Sequence, residues 1–218
     1  SHISFIMDGN NRWSKKNSQS KIKSYSKGAQ KLLTISKKIF DNYNIKYISA
    51  FALSNNNLNR TKSLIDILKK ILLNFLNDEQ TILKLNFQII FIGDLKFVGK
   101  DLTKKITKIQ NINRNKKQKL IIFLNYSGRK DINLFYAKNI NSSFFNPNLI
   151  SKNLLTKNIT DPEILIRTGG YQRISDFMLY QIAFTELFFL KKLWPDISST
   201  DVTKIINNYK SINRKFGL

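Results

Sequence analysis

The sequence predicts an α/β fold in one domain, with a central, mostly parallel six-stranded sheet flanked by helices. Three observations lead there. Six short runs rich in β-branched and aromatic residues recur along the chain, each bounded by Gly, Asn or Asp. Segments with apolar residues at helical spacing separate them. The runs are apolar almost throughout rather than alternating, the pattern of strands covered on both faces and therefore of a parallel sheet.

The six strand candidates are "HISFIM" (2–7), "IKYISAFAL" (45–53), "NFQIIFIG" (86–93), "KLIIFLNY" (119–126), "EILIRT" (163–168) and "ELFFL" (186–190). Between the first and second, Leu32, Leu33, Ile35, Ile39 and Phe40 form one helical stripe. Before the third, Leu64, Ile65, Leu68, Ile71, Leu72, Phe75 and Leu76 form another, and Ile67 and Leu73 widen its oily face beyond what a surface helix needs. Core packing is the ordinary explanation of that width; a tunnel for a greasy ligand is the sharper one. Leu102, Ile106, Ile109 and Ile112 predict a helix before the fourth strand. A helix is expected after each strand, and 141–160 reads as a short helix between loops. Val202, Ile205, Ile206, Tyr209, Ile212 and Phe216 predict the last helix. No repeat, linker or second domain interrupts residues 1–218.

Composition bounds the chemistry. A chain of 218 residues with 42% hydrophobic side chains can bury a real core. It has no cysteine and one histidine, His2, which excludes disulfide frameworks and thiolate or His-rich metal sites. A divalent ion would have to be held by carboxylates and substrate phosphates, which points to magnesium. The formal charge of +23 is spread through every segment, so it speaks to association with polyanions in general rather than to a nucleic-acid module. No apolar run approaches the roughly 18 residues of a spanning helix. "HISFIM" is also too short, and has no basic segment before it, to read as a signal peptide. A cytoplasmic protein is expected, with peripheral contact at a membrane surface.

Ligands of open parallel sheets bind at the carboxyl edge, and four polar clusters fall at predicted strand ends. They are Asp8-Gly9-Asn10-Asn11-Arg12, "LSNNNLNR" (53–60), "NYSGRKD" (125–131) and "RTGGYQRIS" (167–175). Glycines allow close backbone approach, and arginines supply forked donors that match phosphate oxygens. Asp8-Gly9 alone is ordinary turn chemistry. Arg167 is harder to explain away: it ends an apolar strand, where an unpaired charge costs several kcal/mol, so an anionic partner is expected. Arg173 and Ser175 can face the same anion.

"HISFIMDGNNRW", "NNNLNR", "FIGD", "NYSGRKDI", "IRTGGYQRISDFMLYQIAFTELFF" and "LWPD" together resemble the cis-prenyltransferase family of the bacterial undecaprenyl diphosphate synthase type, in order along the whole chain. The resemblance implies a homodimeric, magnesium-dependent α/β transferase that adds isopentenyl diphosphate to an allylic diphosphate such as farnesyl diphosphate. It implies a long cis-polyprenyl diphosphate product for lipid-carrier and cell-wall synthesis, which leaves toward a membrane. By the same resemblance Asp8 is the essential aspartate that assists magnesium and diphosphate departure. Gly9, Asn10, Asn11 and Arg12 form the loop around the allylic diphosphate, and Trp13 is the aromatic that shapes it. Ser54, Asn57, Leu58 and Arg60 lie in the segment that closes over substrate, Asn57 with a catalytic part. Arg167, Arg173 and Ser175 clamp isopentenyl diphosphate. Glu186 is the magnesium-linked glutamate near the dimer contact, through which one subunit completes its neighbour's site.

The chain departs from the family pattern at Asn11, where glycine is usual and where asparagine's tolerance of positive φ would preserve a turn. Lys21 and Tyr25 replace an arginine and a histidine, and Asn56, Leu58 and Leu64 replace two glutamates and a tryptophan. Lysine keeps the charge but not the bidentate fork. Two alternatives stay open on sequence grounds: a noncatalytic accessory subunit of such an enzyme, and a basic nucleic-acid-binding protein.

Overall fold

β1 (His2–Ile6) runs through the middle of the molecule, with β2 (Tyr47–Ser54) on one side and β5 (Ile164–Arg167) on the other, both parallel to it. β4 (Lys119–Tyr126) lies outside β2, β3 (Gln88–Ile92) outside β4, and β6 (Glu186–Phe189) closes the far edge beside β5. All pairings in this six-stranded sheet are parallel. The computed structural model describes residues 1–58, 62–139 and 147–213. Each predicted strand is present, shifted by at most two residues at either end.

The chain reverses its winding at β1: after β4 it crosses to the other side and adds β5 and β6 there. The crevice between the carboxyl ends of β1 and β5 is thus a topological switch point, where open α/β sheets bind ligands.

Residues alternate across β1 and β2. Ile3, Phe5, Ile48 and Ala50 face a large core, while Ile6, Tyr47 and Phe51 face a second, smaller one. The large core is covered by α2 (Lys21–Asn42), α4 (Lys62–Asn77), α6 (Lys100–Asn111) and α9 (Ser199–Ser211), the helices anticipated from apolar spacing. Their starts are set by polar caps: the Ser20 hydroxyl accepts from the Lys23 amide, and Ser198 with Asp201 forms a capping box. α9 ends at Ser211, so Ile212 is its C-cap rather than part of its stripe, and Phe216 lies outside the described residues. The other helices are α1 (Asn10–Lys16), α3 (Asn55–Leu58), α5 (Glu79–Leu83), α7 (Gly128–Asn139) and α8 (Pro147–Asn153). α8 is the short helix expected within 141–160.

The expectation of a helix after every strand fails between β5 and β6. Residues 168–185 form turns, and Ser175, Asp176 and Met178 adopt positive φ, which no helix accommodates. This segment instead covers the smaller core directly. Phe177 stacks on Phe51 at 4.5 Å between ring centroids and meets Phe123 edge-on at 5.1 Å.

His2 is fully buried at the start of β1. Its Nδ1 lies 2.6 Å from the Thr160 carbonyl, which can only accept, so Nδ1 carries the proton and Nε2 accepts from Ser49 Oγ at 2.9 Å. Burial lowers its pKa to about 4, partly opposed by the bond to Thr160.

Candidate functional site

Asp8 follows β1 and Arg167 ends β5, so the switch point brings a carboxylate and a guanidinium together across 159 residues of chain. Arg167 Nη2 donates to Asp8 Oδ2 at 2.9 Å, and Arg12 Nη2, one helical turn beyond Asp8, donates to Oδ1 at 3.2 Å. One carboxylate therefore bridges two arginines. Arg167 is nearly solvent-free, and the anionic partner expected for it is in the first instance Asp8. Its Nη1 also donates to Ser175 Oγ at 2.8 Å and to the Arg173 carbonyl. Its buried Nε–H has no partner among the described residues.

Asp8 is itself held in place. Its carbonyl accepts from Thr168 Oγ1 at 2.7 Å and from the Trp194 amide at 3.0 Å. Gly9 turns the chain at φ 113° into α1, and its missing side chain leaves room for Leu193. The left-handed turn thus falls on Gly9, whereas Asn11 lies within α1 and has no need of positive φ, contrary to the reason offered for asparagine there. Arg12 Nη1 donates to the Gly169 carbonyl at 2.7 Å. A Cβ on Gly169 would collide with Arg12 Nη2, so this glycine is a condition of the approach.

These groups form the mouth of a cavity of about 1300 Å³. Asp8, Gly9, Asn10, Asn11, Arg12, Lys21, Tyr25, Ser54, Arg167, Arg173 and Ser175, all singled out from the sequence, line it together. Arg129 and Lys130, from the "NYSGRKD" cluster, add two further cations. Deeper in, the wall is apolar: Leu32 and Leu33 from α2, Leu68, Leu72 and Phe75 from α4, then Phe91, Phe97 and Val98. Leu64, Leu68, Ile71, Leu72 and Phe75 of the α4 stripe line the cavity, whereas Ile67 and Leu73, which widen its oily face in the sequence, do not, and Leu73 is 37% exposed. Burial first, and then the negative charge of Asp8, push the Tyr25 phenol up, so it remains a hydroxyl donor at neutral pH.

Other expected residues stand elsewhere. Trp13 does not line the cavity: it is buried behind α1, where Nε1 donates to Asp196 Oδ1 at 2.6 Å and Lys27 sits 4.2 Å over its ring. Of Asn57 and Leu58 the structure describes the backbone alone, in α3, and Arg60 lies outside the described residues. Glu186 begins β6 and pairs in register with Ile164, at the amino edge of the sheet, whereas Asp8 lies beyond the carboxyl edge. Within one chain the two proposed metal ligands are therefore apart.

Among the described residues no three His, Cys, Asp or Glu side chains gather to hold a metal ion. A hard cation bound through one carboxylate and substrate phosphates needs no such gathering. Asp8 fits that role, since each of its oxygens accepts one arginine and retains lone-pair capacity toward the cavity. Asp176, the other carboxylate in the lining, is engaged: it accepts from Ser127 Oγ at 2.5 Å and from the Arg129 amide at 3.0 Å, capping α7. Thr168, Trp194 and Asp176 were legible in sequence only as neighbours within "RTGG", "LWPD" and "RISDF".

A family profile described as "Putative undecaprenyl diphosphate synthase" matches residues 6–217. The chain is 34% identical to an isoprenyl transferase of Staphylococcus haemolyticus, over 99% of this chain and 88% of that protein. It is likewise 34% identical to one of Helicobacter pylori, over 99% and 96%. The solved structure of lavandulyl diphosphate synthase from Lavandula x intermedia, in complex with dimethylallyl diphosphate, superposes with a TM-score of 0.88 at 28% identity, over 100% of this chain and 98% of that one. That of a probable undecaprenyl diphosphate synthase from Campylobacter jejuni gives 0.80 at 26%, over 99% and 98%.

Proposed function

The chain belongs to the undecaprenyl diphosphate synthase family of prenyltransferases, and from that premise we propose that it condenses isopentenyl diphosphate onto an allylic diphosphate primer such as farnesyl diphosphate. The product would be a long cis-polyprenyl diphosphate of the undecaprenyl type, for lipid-carrier synthesis. One observation carries the proposal: a mouth in which Asp8 draws Arg12 and Arg167 together opens directly onto an apolar bore walled by α2 and α4. Diphosphate headgroups and a growing hydrocarbon tail need those two environments side by side.

In this reading the C1–oxygen bond of the primer breaks and its electron pair leaves with the diphosphate. The isopentenyl double bond supplies the pair for the new carbon–carbon bond, and loss of a proton beside the resulting cation restores a double bond, cis by the geometry of the bound chain. Arg12, the Gly9–Asn10 backbone, Lys21 and the Tyr25 hydroxyl receive the allylic diphosphate. Arg167, Arg173 and Ser175 hold that of the incoming unit. Fixed donors stabilise charge developing on the leaving oxygens without reorganising at the moment of reaction. Asp8 and the substrate phosphates would hold a magnesium ion, which would supply further neutralisation of that charge. Asp8 also orients both arginines.

The same reading pairs two copies across the β6 edge, where Phe184 is 70% and Leu187 42% exposed, so that Glu186 serves the neighbouring subunit. No helix among the described residues is long and apolar enough to cross a membrane, and product delivery is proposed at a membrane surface contacted peripherally from the cytoplasm. The deciding experiment incubates the purified protein with farnesyl diphosphate, radiolabelled isopentenyl diphosphate and magnesium, then resolves products by chain length. Primer-dependent labelled polyprenyl diphosphate is the expected result. A complete absence of labelled product across magnesium concentrations would refute the reading.

A further inference from the structure

Tyr171 is a large aromatic side chain, 44% exposed, that packs into none of the hydrophobic clusters among the described residues. What surrounds its ring is charge. The guanidinium carbons of Arg173, Arg12 and Arg167 lie 4.2, 4.8 and 5.7 Å from its centroid. Three guanidiniums thus meet one aromatic ring, and among the described residues the only carboxylate bonded to any of them is Asp8, which serves Arg12 and Arg167. Arg173 is exposed, and no described residue accepts a hydrogen bond from its guanidinium; the ring of Tyr171 is its contact. Gly169 and Gly170, at φ 86° and 81°, supply the backbone reversal that carries Tyr171 back over the mouth.

Before an anion arrives, the mouth therefore holds more positive than negative charge, and like charges this close repel. The negative face of a phenol ring attracts cations within about 6 Å of its centroid, and each such contact at an exposed site is worth only a few-fold in an equilibrium. Two of them acting on groups that must both reach one ligand multiply to roughly 5–30-fold.

We propose that Tyr171 is a positioning residue: its ring gathers Arg12, Arg167 and above all Arg173 at the cavity mouth, so that a diphosphate finds its donors already converged. The inference rests on the diphosphate reading of the mouth given above. The ring face does the work, and the hydroxyl has no part in it. Most of the effect falls on Arg173, which has no other fixed partner among the described residues, and hence on the diphosphate it clamps.

The test measures inorganic diphosphate binding by titration calorimetry, alongside steady-state kinetics with both diphosphate substrates, for wild type, Tyr171→Phe, Tyr171→Leu and Tyr171→Ala. Tyr171→Ala is expected to bind inorganic diphosphate roughly 5–30-fold more weakly and to raise KM for isopentenyl diphosphate by a similar factor, while kcat changes far less. Tyr171→Phe should restore binding to within about twofold of wild type, and Tyr171→Leu should not. Binding by Tyr171→Ala within twofold of wild type would overturn the inference, as would equal rescue by Leu and Phe, which would make the ring mere bulk. A wild-type protein that binds diphosphate in this ring-dependent way but transfers no prenyl group would overturn the proposed reaction and leave the platform standing.

Discussion

Replacing Asp8 with asparagine keeps the shape of the site and removes its only bridging charge. Arg167 is then left with a 4% exposed side chain and no counter-ion at 2.9 Å. Deleting one partner of a buried ion pair costs about 3–5 kcal/mol. Here the cost is reduced, because Arg167 keeps its bonds to Ser175 and the Arg173 carbonyl and the Asp8 side chain is 29% exposed at an open mouth. We expect a loss of about 2–3 kcal/mol, with a coupling of at least about 1 kcal/mol in a double-mutant cycle with Arg167→Met. Urea unfolding followed by tryptophan fluorescence reads this directly, since Trp13 and Trp194, the only two tryptophans, are both buried. Inorganic diphosphate should stabilise Asp8→Asn more than wild type in the absence of metal, because both arginines are released toward the anion. Condensation should fall at least about 10²–10³-fold while the variant still folds. A stability change under about 0.5 kcal/mol with additive single mutants would refute the claim that Asp8 organises Arg167.

Acid should destabilise the protein through His2. Its folded pKa of about 4 lies below the 6.5 of an unfolded histidine, so the unfolded chain binds more protons throughout that window. Stability then falls as pH drops from 6.5 to about 4, by roughly 3 kcal/mol in all, and a parallel pH profile for His2→Gln would show that His2 is not responsible. Gly169→Ala should cost about 1–2 kcal/mol from its positive φ and also weaken diphosphate binding by displacing Arg12; calorimetry reporting unchanged affinity would separate the two effects. Leu72→Trp, which fills part of the bore, should shorten the product as resolved by chromatography, and an unchanged chain length would place the tail elsewhere.

What the sequence disclosed and what it withheld have physical reasons. Strands β1 to β5 were legible because they are buried on both faces and so nearly apolar throughout, whereas β6, with Leu187 42% exposed, was legible by its aromatic run alone. The stripes of α2 and α4 disclosed their helices for the same reason, although the stripe of α4 turned out to face a cavity. Arg167 declared itself by its cost: a charge at the end of "EILI" requires a partner. The identity of that partner was hidden, because Asp8 reaches it only through the pairing of β1 with β5. The non-helical state of the 168–185 connection is not legible, because its apolar residues suit either state. The positive φ of Ser175, Asp176 and Met178 leaves no signature in residue type. Tyr171 is silent in the sequence, because an exposed tyrosine in a glycine-rich loop signals nothing until its neighbours in space are known.

The pairing of strands so far apart in sequence has a consequence for biosynthesis. Residues 1–16 emerge from the ribosome with the aspartate and the first arginine already in place, yet the guanidinium that locks them arrives more than 150 residues later. A nascent or truncated chain holds half a grip. Transfer activity would then switch on only when the last third of the polypeptide has docked, so its onset during refolding reports the slow, long-range closure of the sheet rather than the early formation of helices.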